Sequence, residues 1–163
     1  MRSFRDPAAF EAFLRDKSAT LEAAQAAGFR KGAAIVEADA KARIGQYQDE
    51  AGSFPGWQDL AASKIADKER QGYGTPDPLL RTGYMRDSIE SAFCPDGFTV
   101  GSPDPVALYQ EEGTKGPNPG PDGWHVPPRP FLGPTLFTNV AKIVNAATEE
   151  VAAWLSDTRP NRW

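Results

Sequence analysis

The side chains that could do chemistry are few: the single histidine His125, the single cysteine Cys94, the neighbouring carboxylates Glu111 and Glu112, the glycine-bearing run GTKGPNPGPDG, and the tryptophans at 57, 124, 154 and 163. A general acid or base is usually a histidine or an environment-shifted carboxylate. His125 lies between Trp124 and Val126 with no Gly-x-Ser-x-Gly turn or other nucleophile context near it, so a packing or interface role is the better reading. Cys94 directly precedes Pro95 at the end of a predicted strand, where a small buried thiol is expected rather than a nucleophile. It has no partner for an intrachain disulfide and no companions for a zinc site. Side chains adjacent in sequence point in different directions, so Glu111 and Glu112 are read as solvated or salt-bridged rather than as a carboxylate pair. The run from Gly113 lacks the Gly-Lys-Ser/Thr order and strand-loop-helix context of a phosphate loop. The tryptophans could stack on sugars or bases, but Trp57, Trp124 and Trp154 read as helix-face or loop anchors, leaving Trp163 unexplained. Neither a catalytic set nor a cofactor is expected.

Composition narrows the classes further. The 163 residues suit one domain, and 40% hydrophobic with 25% charged residues is ordinary for a globular protein. A formal charge of −4 argues against sequence-independent duplex binding, which draws on clustered Lys and Arg. The N-terminal MRSFRDPAAFEAFLRDK mixes charge into every turn, and no run approaches the ~20 apolar residues of a membrane span. Neither a cleaved signal nor membrane insertion is expected, and cytoplasmic synthesis is.

The elements that must position these residues follow from periodicity. Asp6-Pro7 is a helix opening. Phe10, Phe13, Leu14, Leu21, Phe29, Ala33, Val36, Ala40, Ile44 and Tyr47 then mark the stripe of one long alanine-rich helix. Gly28 and Gly32 predict a bend, a break or a close helix contact within it. Trp57, Leu60, Ala61 and Ile65 predict a short second helix. A turn at Thr82-Gly83 leads into a strand with Ile89, Ser91 and Phe93 facing inward, and Asp96-Gly97 predicts a hairpin returning through Phe98 and Val100. VALYQEEG is a short helix or extended piece, followed by an irregular Gly/Pro-rich loop at 113–130. Pro134 then starts an amphipathic helix whose face is Leu136, Val140, Ile143, Val144, Ala147, Val151, Trp154 and Leu155. The expected fold is α+β: a long N-terminal helix, a short second helix, a small antiparallel sheet with a hairpin, and a C-terminal amphipathic helix packed on the sheet. The expected organisation is a single domain, 1–163, with an N-terminal helical arm at 1–52 and an α+β core at 53–163.

Three segments form a larger pattern: LLRTGYMRDSI at 79–89, ALYQEEGT at 107–114 and VPPRPFLGPTL at 126–136. In this order and spacing they resemble the tail-completion and head-tail joining proteins of tailed bacteriophages, the virion morphogenesis or minor tail protein type. In that family a Thr/Ser-Gly-x-Leu-x-x-Ser-Ile element precedes a Tyr-and-Gly element and an Arg-Pro-Phe-Leu element. The likeness spans about half the chain, and the flanking helices extend it. Met85 stands where the family commonly has leucine, a volume-conserving change, and GTKGPNPGPDGWH is a long insert.

The resemblance implies a structural protein of the virion, at the neck of the tail, with no catalytic residues. Its motif positions are Gly83, Ser88, Ile89, Tyr109, Glu112, Gly113, Thr114, Arg129, Pro130, Phe131 and Leu132. The implied partners are copies of itself in a ring, taken as hexameric, together with tail terminator or tail tube proteins and head-side connector or adaptor proteins. DNA would only pass through the channel, a passage that an acidic balance suits. Within this frame Pro117 to Pro130 is expected to form an arm ordered by assembly. Arg129 is expected to fork onto a carboxylate such as Glu112, seating Phe131 and Leu132. The alternatives are a tail terminator of the same neck, a helical adaptor binding through the first helix, and a small hydrolase using His125.

Overall fold

The computed structural model describes residues 4–114 and 126–157. Its elements are α1 (Pro7–Arg43), α2 (Ala62–Arg70), α3 (Tyr84–Asp87), β1 (Glu90–Cys94), β2 (Gly97–Gly101), α4 (Pro105–Glu112) and α5 (Leu132–Asp157). The Asp6 carboxylate accepts the Ala9 amide at 2.8 Å, and Pro7 occupies the first turn, so α1 starts where side chain and ring geometry dictate. It runs unbroken for 37 residues and ends with Lys41 and Arg43 in its last turn, where cations complement the helix dipole.

Gly28 and Gly32 neither bend nor break α1; they admit its neighbours. A Cβ on Gly28 would lie 2.8 Å from the Ala147 Cα. One on Gly32 would lie 3.0 Å from a Phe98 ring carbon and 3.1 Å from the Ile143 Cγ2. Helix α5 and the sheet therefore both close onto α1 at its glycines. Helix α5 runs antiparallel along α1, joined by Asn139 Nδ2 to Asp39 at 2.8 Å, an ion pair of Glu150 with Lys31, and Trp154 Nε1 to Thr20 Oγ1 at 3.0 Å. The result is an α+β fold with a two-stranded antiparallel sheet.

The face by which α5 meets α1 is not the expected stripe throughout. Ile143, Ala147, Val151 and Trp154 lie at least partly covered, but Leu136, Val140, Val144 and Leu155 are each half-exposed or more. Thr135, Asn139 and Ala146 are buried in their place. The line of α5 that meets α1 therefore runs through Asn139, bonded to Asp39, and through Ile143 and Ala147, which face the two glycines. In α1 the stripe is buried from Ala33 to Ile44 only, with Phe10 and Leu14 exposed.

Further expectations need correction. Trp57, Leu60 and Ala61 precede α2 rather than lying on it; Trp57 is buried in irregular backbone and donates from Nε1 to the Pro130 carbonyl at 2.9 Å. The hairpin turns at Pro95-Asp96, with Cys94 paired to Gly97, because the fixed φ of proline suits a turn's second position; neither Asp96 nor Gly97 has positive φ. Ser91 faces α1 as expected, donating to Glu37 at 3.2 Å. Phe93 shares that face but sits near the hairpin tip and is 54% exposed. Cys94, expected to be buried, is exposed as well.

The core lies beyond the sheet's base, where Ala40, Ile44, Trp57, Met85, Ile89, Ala107 and Phe131 pack with Leu79, Leu80, Val100 and Leu132. The C-terminal half of α1 thus supplies core residues alongside the chain after residue 53. Among the described residues no helix is long and apolar enough to cross a membrane. Trp124, His125, Trp163 and most of the expected loop and arm lie outside the described residues.

Candidate functional site

Asp104 and Pro105 open α4 as Asp6 and Pro7 open α1, with the Asp104 carboxylate accepting the Val106 amide at 2.9 Å. Gly113 ends it at φ 72, and a Cβ there would meet the Val126 carbonyl oxygen at 2.8 Å, so glycine is required twice over. The Thr114 amide then donates to the Val126 carbonyl at 3.1 Å, and its hydroxyl accepts the Val126 amide at 2.9 Å.

The run Val126-Pro-Pro-Arg-Pro-Phe131 keeps few backbone donors, because proline has none. Each remaining amide is bonded to α4 or its end. Val126 uses the Thr114 hydroxyl, Arg129 donates to the Gln110 carbonyl at 2.6 Å, and Phe131 donates to Glu111 at 2.7 Å. Glu111 does more: Oε2 also accepts Leu132 N at 2.9 Å and Oε1 accepts Gly133 N at 2.8 Å. One carboxylate therefore caps three otherwise orphaned amides at the start of α5, where the helix dipole favours negative charge.

The first motif segment joins the same unit. Gly83 adopts φ 86 ahead of α3. The Ser88 hydroxyl donates to the Met85 carbonyl at 2.8 Å and pairs with the Ser102 hydroxyl at 2.7 Å, and Ser102 in turn accepts the Asp104 amide at 3.0 Å. Ile89 is 1% exposed and Phe131 fully buried in one core. The three segments separated in sequence thus converge around α4.

Arg129 is buried, not forked onto Glu112. Its Nη2 donates to the Gln58 carbonyl at 3.1 Å, and Nε has no acceptor. Burial pulls its guanidinium below the usual arginine range. Consecutive helical side chains diverge: Glu112 is exposed, and Glu111 points to the amides at the start of α5 rather than to the guanidinium. Sequence reading missed this cap. The available signal was that Phe131-Leu132, ahead of the last helix, offers no Ser, Thr, Asp or Asn to cap it, so a cap from elsewhere was due.

Most motif residues are accounted for by internal contacts; Tyr109 is 53% exposed, and Glu112 projects beside it on α4. The same helix also exposes Val106 and Leu108. Elsewhere an open pocket of about 270 Å³ lies between α1 and the hairpin tip, lined by residues including Phe29, Arg30, Phe93, Cys94 and Pro95. Among the described residues no three His, Cys, Asp or Glu side chains cluster as metal ligands would. No protein-family model, no curated protein and no solved structure matches the chain.

Proposed function

We propose that this chain is a structural subunit of a tailed bacteriophage virion, one that completes the tail and joins it to the head. The observation that carries the reading is the convergence of segments 79–89, 107–114 and 126–136 on α4, through Ser88-Ser102, Arg129-Gln110 and Glu111 with residues 131–133. Those are the three segments by which the chain resembles that family, and here they build one scaffold rather than a cleft with converging reactive groups. The scaffold leaves Val106, Leu108, Tyr109, Leu136, Val140 and Val144 facing outward. Apolar surface of this kind on a small protomer suits burial between subunits.

In the proposed assembly each protomer uses two different surfaces, so that the contact closes into a ring when the rotation per subunit divides the circle. One surface would contact the tail and another the head-side connector. The formal charge of −4 suits a conduit along which DNA slides without sticking. Co-sedimentation of the purified protein with isolated tails, and separately with connector-bearing heads, tests the reading. Saturable binding to tails is expected, and binding to neither particle would refute it.

A further inference from the structure

Arg129 is only 7% exposed, yet among the described residues no carboxylate pairs with it. Nη2 reaches one neutral carbonyl, that of Gln58, and Nε is sealed from solvent without an acceptor. Among the described residues Nη1 makes no hydrogen bond, and unlike Nε it is not sealed from solvent. Gln110, whose carbonyl holds the Arg129 amide, has its own Oε1 unmatched. A bridging water satisfies hydrogen bonds at such a place, but it does not neutralise a cation. A guanidinium always stays charged, and a buried charge is retained where a partner compensates it.

We propose that Arg129 is the receptor for a carboxylate from a second copy of this chain, which enters at Nη1 when protomers associate. A second copy carries 22 Asp and Glu against 18 Lys and Arg, so it offers the complementary charge. Helix α4, which holds the Arg129 backbone, presents Val106, Leu108 and Tyr109 outward; covered by a neighbour, this apolar surface would exclude water around the pair and strengthen it. In a ring the donor of the carboxylate lies on a face other than the one carrying Arg129. The inference rests on the ring reading of the proposed function but concerns self-association alone.

Two measurements on the full chain test it. Sedimentation velocity over a concentration series compares the wild type with Arg129→Lys, below the temperature at which the variant begins to melt. The wild type should associate, and the variant at least about thirty-fold more weakly, as for loss of a desolvated charge pair. NMR of the arginine side chains in the wild type needs no variant: the Arg129 Nε or Nη resonances should move with protein concentration along the same association curve. Arginine resonances that ignore concentration, unimpaired association of Arg129→Lys, or a wild type that stays monomeric throughout would each overturn the proposal. Binding to tails alongside any of these results would leave the proposed function standing without it.

Discussion

Glu111 holds the Gly133 amide at 2.8 Å across 22 residues of sequence, so the last turn of one helix supplies the N-terminal cap of another. The relationship ties the start of α5 to α4, whose last turn must be formed for the cap to be in place. Replacing Glu111 with alanine should lower unfolding free energy by about 2 kcal/mol, from lost capping and charge-assisted bonds. Glu112→Ala should stay within about 0.5 kcal/mol. Urea titration of both variants checks the contrast, and equal losses would show that the cap carries no particular weight.

Gly28 is set against backbone, since a Cβ would lie 2.8 Å from the Ala147 Cα. Alanine would gain about 1 kcal/mol in helix propensity, but overpacking against an atom that cannot rotate away costs about 1–3 kcal/mol. Gly28→Ala should therefore be neutral to destabilising, and Gly28→Val clearly destabilising. Thermal melting that showed both variants more stabilised than the wild type would contradict the close α1–α5 seam.

Trp57→Phe keeps an aromatic side chain but removes the indole N–H that donates to the Pro130 carbonyl, together with some buried volume. A buried acceptor left unpaired costs about 1–3 kcal/mol, and chemical denaturation should show that loss. Amide exchange should also quicken at Phe131, beside the released carbonyl.

Arg129→Lys should affect the monomer itself, because the side chain is buried and bonded to the Gln58 carbonyl. Loss of the planar fork should lower monomer stability by about 1–2 kcal/mol, readable as a drop in melting temperature.

Glu37 links α1 to β1 through Ser91, and the Lys41 hydrogen bond, followed by that from Ser91, holds its carboxyl below the ordinary value of 4.5. A carboxyl depressed in the folded state contributes stability above its unfolded pKa and loses it as pH falls through the folded one. Stability should thus decline as pH drops below about 4.5, and Glu37→Gln should show a shallower acid limb. Identical acid limbs in denaturant titrations would remove Glu37 from the account.

Local chemistry was the legible part of this fold. Asp6-Pro7 and the hairpin were readable because capping and turn preferences act within a few residues. Gly28 and Gly32 were readable as a possible close contact, though not which elements would approach. The outward turn of Leu136, Val140 and Val144 was hidden, because hydrophobic periodicity assumes that the largest apolar side chains face inward. Here Thr135, Asn139 and Ala146 are the buried positions of α5 instead, with Asn139 held by a hydrogen bond to Asp39 of α1. Trp57 was assigned to a helix by spacing alone, whereas its place is set by a carbonyl 73 residues away. Of the motif residues, Arg129 was legible as an interacting group but its partner was not: the guanidinium meets the Gln58 carbonyl, 71 residues away, and which of Glu111 and Glu112 caps α5 depends on the helical phase of α4, which only the assembled fold supplies.

The most direct test of the proposed function is electron microscopy of isolated tails and connector-bearing heads after incubation with the protein, compared with untreated particles. Added ring-shaped density at the head-proximal end of the tail, with more tails joined to heads, is the predicted result. Unchanged tails and connectors, at concentrations where the protein is folded, would contradict it.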